Sequence, residues 1–206
     1  FLDVYYQYDF DKPQSNERPS FIYNHKRHNT VAVNLALLQL AYKSNKLKAN
    51  LGLMAGDYST YNLAAEPGLL KYIYEASVGY QFSKKISVDA GVFPSHIGSE
   101  TAISKDCWNL SRSLTAENSP YYEMGVKLNY TLNEKWTTSL LLLNGWQNIK
   151  ETNSGKAIGT QVQFKPNAKW LFNSSGFIGN EQPDSMAKSV RLFHNFFVYC
   201  SLIRFD

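Results

Sequence analysis

The stretch 121–132 reads YYEMGVKLNYTL, and it decides the fold because apolar and polar residues alternate along it. Side chains that follow one another along a β-strand point to opposite faces of the sheet, so this stretch has one apolar and one polar face. The apolar face carries Tyr122, Met124, Val126, Leu128, Tyr130 and Leu132. The stretch therefore predicts a strand that contacts water on one face only.

The same alternation recurs along the chain and predicts about ten strands. It is clear in residues 47–56, 72–82 and 86–95, where aliphatic and aromatic residues share one face. It is less regular in six other stretches, which are 1–9, 30–42, 136–147, 156–165, 169–179 and 190–200. No stretch predicts a helix, and only a turn is expected near Glu66. We therefore expect an all-β chain that forms a single domain over residues 1–206.

The connections between these strands alternate in length. The long ones are 10–29, 57–71, 96–119, 148–155 and 180–189, and the short ones are 43–46, 83–85, 133–135 and 165–168. In an antiparallel up-and-down meander, this alternation places every long loop at one end and every tight turn at the other. Outer-membrane barrels of bacteria are built in this way. The sequence therefore predicts a transmembrane β-barrel.

Composition excludes several other classes of protein. The mean hydropathy is −0.35, and the densest apolar run, Leu140–Leu143, is far shorter than the roughly 20 residues that a membrane-spanning helix needs. The net charge is +4, but the lysines are scattered among short turns, which argues against a nucleic-acid partner. Cys107 and Cys200 lack the paired spacing of a zinc site, and we expect no metal, no cofactor and no disulfide between them.

Aromatic residues are sorted by strand end, as in the two girdles of an outer-membrane barrel. Those beside the short turns are Tyr42, Tyr80, Phe82, Tyr130, Trp136, Phe164 and Trp170. Those beside the long loops are Tyr72, Tyr74, Phe93, Tyr121, Tyr122 and Trp146. If Trp136 and Trp146 share one strand, they are separated by roughly 23 Å along the membrane normal. The alternative is a soluble sandwich or lipocalin-like barrel with an aromatic core, which would have no cause to sort aromatics by strand end.

Residues 62–123 contain four motifs that together resemble a known family. They are NLAAEPGLL at 62–70, DAGVFPSHIG at 89–98, AISKDCW at 102–108 and AENSPYYE at 116–123. The chain resembles the OmpL-like β-barrel porin family that is common in Bacteroidetes. The resemblance implies an outer-membrane barrel with a porin or transport role and no catalytic residues. Because members of that family are longer and Phe1–Tyr6 has no features of a secretory signal, we expect a mature or trimmed form, with these strands part of a larger barrel.

The polar faces of the strands predict the lining of a lumen that contains both signs of charge. The predicted pore-lining residues are Lys48, Asn50, Glu75, Gln81, Asp89, Glu123, Lys127, Gln161 and Gln163. We expect a channel for passive diffusion of small polar solutes or ions. The alternative is a closed structural or binding barrel, because the side chains of a narrow barrel fill its interior.

The long connection 96–119 is predicted to fold into the barrel mouth and to set its selectivity. Ile103, Trp108, Leu110 and Leu114 would be its apolar anchors, and Lys105, Asp106, Arg112 and Glu117 would be the charges at a constriction. The alternative is a loop that lies flat over the rim and contacts a neighbouring subunit. Outer-membrane lipid, small solutes or ions, and a second copy of the chain are thus the candidate partners.

Two groups of residues could in principle carry other chemistry. Ser95-His96 and His194-Asn195 supply the residue types of a hydrolase, but adjacent strand residues point to opposite faces and cannot pair. His25 and His28 could bring two imidazoles to a metal, although two histidines without a nearby carboxylate usually form a solvated loop. We therefore expect no enzymatic activity.

Overall fold

The computed structural model describes residues 1–201, which form a single antiparallel sheet of ten strands in chain order. The strands are β1 Leu2–Gln7, β2 Thr30–Lys43, β3 Leu47–Ala55, β4 Ile73–Gln81, β5 Ile86–Pro94, β6 Tyr122–Thr131, β7 Trp136–Leu143, β8 Ala157–Phe164, β9 Trp170–Asn180 and β10 Val190–Cys200. Each strand pairs with its neighbours in sequence, so the predicted all-β meander is confirmed. Within residues 1–201 the sheet does not close, since β1 pairs only with β2 and β10 only with β9.

The connections have the predicted alternation of lengths. The long ones are 8–29, 56–72, 95–121, 144–156 and 181–189, and the short ones are 44–46, 82–85, 132–135 and 165–169. The expectation of no helix is wrong in detail, because the long loops contain α1 Asp57–Asn62, α2 Leu114–Glu117 and two 3₁₀ turns, Gly68–Tyr72 and Ser104–Asp106. Among residues 1–201, no helix has the length and apolar character needed to cross a membrane.

The outward face of the sheet is apolar over nearly all of its strands. In β6, Val126, Leu128 and Tyr130 are each more than two fifths exposed, and Lys127 and Asn129 between them face the interior side. The same outward exposure is seen at Val4, Leu38, Leu40, Leu51, Val78, Leu140, Leu142, Ile158, Val162, Ile178, Phe196 and Val198. Folded proteins in water do not leave so large an apolar surface uncovered. The soluble-barrel alternative is therefore excluded, since it would bury this face.

The predicted aromatic girdle at the short turns is present. Tyr42, Tyr80, Phe82, Tyr130, Trp136 and Trp170 are all exposed at that end of the sheet. The ring of Phe164 stacks on Trp136 with ring centroids 4.3 Å apart. Aromatic side chains placed in this way suit the boundary between lipid and water.

The predicted second girdle at the long loops is wrong. Phe93 and Tyr122 are buried, and Tyr74 and Tyr121 pack against an interior cluster. Trp146 lies beyond the end of β7, and its ring packs edge-on against Phe177 and Phe193 inside the sheet. The spacing between Trp136 and Trp146 therefore does not measure an apolar band. Of the six predicted residues only Tyr72 is exposed.

Strict alternation fails near the long loops because the strands are irregular there. Gly91 has a φ of 121°, a conformation that L side chains rarely adopt. The two residues that follow it, Val92 and Phe93, are both buried, at 3% and 5% exposure. The register also shifts between Asp3 and Val4 of β1. Such bulges and glycine bends re-aim the side chains that follow them.

The interior beneath the long loops is filled by two hydrophobic clusters. The first contains Leu35, Leu37, Met54, Tyr58, Leu63, Val92, Ala102, Tyr122 and Ile149. The second contains Phe93, Ile97, Leu141, Leu143, Ala157 and Phe177. Tyr58 and Leu63 come from the loop between β3 and β4, and Ile97 and Ala102 come from the loop between β5 and β6. The loops therefore supply apolar side chains that the strands alone do not.

Candidate functional site

A polar cavity of about 380 Å³, which we call the chamber, lies inside the sheet. Its lining residues are Lys48, Asn50, Glu75, Ser77, Asp89, Phe93, Pro94, Ser95, His96, Lys127, Gln161 and Gln163. Seven of these belong to the set that alternation predicts as pore-lining, namely Lys48, Asn50, Glu75, Asp89, Lys127, Gln161 and Gln163. Of the two others, Glu123 is fully buried against His96, and Gln81 is exposed near a short turn.

Both signs of charge are present on the β3–β5 side of the chamber. The ammonium of Lys48 lies 2.7 Å from a carboxylate oxygen of Asp89. The carboxylate of Glu75 accepts hydrogen bonds from the Asn50 amide at 2.8 Å and the Ser77 hydroxyl at 3.0 Å. These side chains come from three adjacent strands, and each carboxylate has a defined partner.

Lys127 is the cation of the chamber that has no such partner. It lies on β6 opposite Asp89 of β5, whose second carboxylate oxygen accepts a hydrogen bond from Asn129 at 2.9 Å. Among residues 1–201, no carboxylate oxygen lies within 4.0 Å of the Lys127 ammonium. Its charge is therefore available to a solute inside the chamber.

The β8 side of the chamber is lined by the neutral polar residues Gln161 and Gln163, which are supported by buried polar residues of β9. The side-chain oxygen of Asn173 accepts hydrogen bonds from Gln161 at 2.9 Å and Gln163 at 3.2 Å, and its amide donates to Ser175 at 2.8 Å. Sequence reasoning missed Asn173 and Ser175. Both lie on the inward face of β9. The outward face carries Phe172 but also Ser174 and Gly176, so the sequence shows little difference in polarity between the two faces.

His96 is fully buried where the chain leaves β5 and turns into the interior. Its Nδ1 lies 2.9 Å from a carboxylate oxygen of Glu123, and its Nε2 lies 2.9 Å from the carbonyl oxygen of Gly176. Its own carbonyl accepts hydrogen bonds from Gln161 at 3.0 Å and Ser175 at 2.7 Å. The first turn of the long loop is thus fixed to β6, β8 and β9.

The residues considered for a hydrolase do not form one. The Ser95 hydroxyl donates to Glu123 at 3.1 Å, so Ser95 and His96 share a carboxylate and do not bond each other. His194 is exposed, and its Nε2 lies 2.9 Å from the hydroxyl of Ser174. The two histidines therefore lie on different surfaces of the sheet.

Arg112 of the predicted constriction is buried within its own loop. Its Nε donates to the carbonyl of Thr101 at 2.8 Å, and its Nη atoms donate to the carbonyls of Leu110 at 2.6 Å and Ala102 at 2.7 Å. All three nitrogens are thereby engaged with backbone groups. Arg112 stabilises the loop, and its predicted place on a passage wall is wrong.

Glu117 is also buried and structural. Its carboxylate accepts hydrogen bonds from the Tyr23 backbone at 2.7 Å and from the Asn24 amide at 3.0 Å, which fixes the β5–β6 loop to the β1–β2 loop. Lys105 and Asp106 are exposed on the loop surface. None of the four predicted constriction charges lines the chamber.

The predicted apolar anchors of this loop are mostly wrong as well. Trp108 is 84% exposed, and Leu110 and Leu114 are also exposed. Only Ile103 packs against the first hydrophobic cluster. The loop is held inside the sheet by other residues. Ile97 and Ala102 are buried in the two hydrophobic clusters, and His96 and Glu117 make the polar contacts to other parts of the chain.

Glu66, which the sequence places in a turn, joins two long loops. Its carboxylate accepts hydrogen bonds from the backbone of Ile149 at 2.6 Å and Lys150 at 3.1 Å, and from the hydroxyl of Tyr122 at 3.2 Å. The β3–β4 loop is thereby tied to the β7–β8 loop at a buried position.

The histidines of the first long loop are engaged separately. His25 Nε2 lies 3.1 Å from Asp3, and burial lowers the pKa of His25. His28 Nδ1 accepts a hydrogen bond from the backbone of Asp9 at 2.8 Å. Over the described part of the chain, no three His, Cys, Asp or Glu side chains converge as metal ligands would. Cys107 and Cys200 are both free thiols.

Comparison with known proteins adds one match. A family model described as "Putative beta-barrel porin-2, OmpL-like" matches residues 1–202. No curated protein matches the chain.

Proposed function

Because the chain belongs to the OmpL-like β-barrel porin family, we propose that it is an outer-membrane channel for the passive diffusion of small polar solutes or ions. The observation that supports this best is the chamber, a polar cavity of about 380 Å³ behind strands whose outward faces are apolar. Lipid is the proposed partner of those outward faces.

The chemistry of the chamber suits polar solutes of more than one kind. Amide and hydroxyl groups of Gln161, Gln163 and Ser77 can replace part of a hydration shell, while Lys127 and Glu75 attract opposite charges. Because Lys48 is already paired with Asp89, Lys127 is the residue most able to bias the passage toward anions.

We propose no catalytic role for the chain. Ser95 and His96, which come together at the chamber, both bond Glu123, so they are not arranged as a nucleophile and its base. Of the three candidate functions, a membrane-embedded hydrolase therefore has the least support.

A closed structural or binding barrel is the second candidate function. It is favoured by the two hydrophobic clusters that fill the interior beneath the long loops. A closed barrel would retain the change of gel mobility on heating that folded barrels show, but it would carry no current. Whether copies of the chain associate stays a prediction.

Conductance of the full-length natural protein in planar lipid bilayers tests this proposal. In a potassium chloride gradient we expect discrete current steps, and Lys127→Gln should shift the reversal potential toward cation preference because an unpaired positive charge is lost. Lys135→Gln, which makes the same change in an exposed short turn, is the matched control and should leave the reversal potential unchanged. Folded protein that shows no current steps would favour the closed barrel.

A further inference from the structure

The segment Pro94–Ile97 lines two cavities. One is the chamber, which is lined by Pro94, Ser95 and His96. The other is a cavity of about 170 Å³ beneath the long loops, which is lined by Pro94, Ser95 and Ile97. Because Pro94 and Ser95 line both cavities, the two cavities adjoin at this segment, which we call the partition.

The partition is attached to more than one strand. It leaves the end of β5, and the imidazole of His96 bridges Glu123 of β6 and the carbonyl of Gly176 of β9, each at 2.9 Å. The backbone amide of His96 also faces Glu123 at 3.4 Å. The segment therefore connects β5 and β6 with β9.

Both ring nitrogens of His96 face acceptors, which are a carboxylate and a backbone carbonyl. The Ser95 hydroxyl and the His96 backbone amide also face the Glu123 carboxyl group, at 3.1 Å and 3.4 Å. The side chains of His96 and Glu123 are both fully removed from solvent. A buried polar group that loses its partner gains no water in exchange, so these contacts are costly to break.

Gly159 of β8 has no side chain, and this leaves room for the His96 ring. A Cβ atom at this position would lie 2.8 Å from Cε1 and 2.9 Å from Nε2 of His96. Carbon atoms do not approach so closely, so any side chain at residue 159 would displace the ring. The strand therefore carries a glycine where the imidazole docks.

We propose that the partition Pro94–Ile97 is the barrier between the two cavities, and that the attachment of His96 to Glu123 and Gly176 determines how often this barrier opens. This inference rests on the proposed channel function. It places the narrow point of the passage at the start of the β5–β6 loop and assigns no role there to the exposed tip that carries Lys105 and Trp108.

Bilayer recordings of variants that release the partition test the inference. Glu123→Gln, His96→Ala and Gly159→Ala should each raise the open probability roughly tenfold or more, the factor expected when a buried polar group loses its hydrogen-bond partner. Glu66→Gln is the matched control, since it changes a buried carboxylate that ties two other loops. It should leave the open probability unchanged.

The variants named above change buried positions and could fail to fold, which a loss of heat-modifiable gel mobility would reveal. A second pair of variants makes milder changes. Gln161→Ala and Ser175→Ala each remove one donor to the His96 carbonyl and keep the buried contact between His96 and Glu123, and each should raise the open probability by a smaller factor. If the natural protein is silent but the release variants conduct, the barrier is supported and free passage through the natural protein is contradicted. If the natural protein and the variants that release the partition conduct equally, the channel function is supported and the proposed barrier is wrong. If none conducts, both are contradicted.

Discussion

The two halves of this barrel use the same residue types in opposite ways. Beside the short turns, aromatic side chains such as Trp136 and Tyr80 point outward and polar ones such as Lys48 and Asp89 point inward. Beside the long loops, the aromatic residues Phe93 and Tyr122 point inward, where loop residues pack on them. An alternating pattern shows which residues contact apolar material, but it does not distinguish lipid outside the sheet from a folded loop inside it.

The largest effect should come from the interior of the long-loop half. Phe177→Ala removes a buried ring that packs against Trp146 and should lower the free energy of unfolding by about 3 to 5 kcal/mol, because the rigid surroundings leave a cavity. Phe196→Ala makes the same change on the outward face and should cost less, since lipid fills the space. Unfolding by denaturant from lipid vesicles measures both. An equal loss in the two variants would mean that the long-loop half has no tightly packed core.

A second effect concerns the lipid-facing surface of the other half. Val126 is 45% exposed on the outward face of β6, so Val126→Arg should destabilise the inserted barrel by roughly 2 to 4 kcal/mol. Val126→Leu is the control and should be tolerated. If Lys127→Leu, at the adjacent inward position, is more damaging than Val126→Arg, the two faces have been assigned the wrong way round.

The smallest effect should be at the exposed tip of the β5–β6 loop. Trp108→Ser changes a side chain that is 84% exposed and should alter the free energy of unfolding by less than about 0.5 kcal/mol. Arg112→Gln, in the same loop, removes hydrogen bonds to the carbonyls of Thr101 and Ala102 and should cost more. A large loss from Trp108→Ser alone would show that the tip is buried in the membrane-inserted protein.

The sequence was sufficient to predict the strands, their two faces and their order in the sheet. Alternation in 121–132 correctly separated Val126 from Lys127, and the lengths of the connections correctly predicted the meander. Most of the predicted lining residues share one chamber because inward positions of adjacent strands must meet on the same face.

The other features of the structure depend on tertiary contacts that the local sequence pattern does not indicate. Gly91 changes the direction of the residues after it, so Val92 is buried although its position in the alternation is outward. Arg112 and Glu117 look like pore charges in sequence, yet Arg112 binds backbone carbonyls of its own loop and Glu117 binds a backbone amide of the β1–β2 loop. In the sequence His96 stands out only as the neighbour of Ser95, and only the fold brings it to Glu123 and Gly176.

We propose that solutes pass through the chamber and that lipid covers the opposite face of the same strands. Ser77 and Val78 are adjacent in β4, and they lie in the chamber and on the exposed outward face respectively. We would place a single cysteine at each position in a Cys107→Ser, Cys200→Ser background and record bilayer current while adding a charged thiol reagent. Modification of Ser77→Cys should reduce the current steps, and modification of Val78→Cys should leave them unchanged. Unchanged current after complete modification of Ser77→Cys, or a block through Val78→Cys alone, would contradict passage through the chamber.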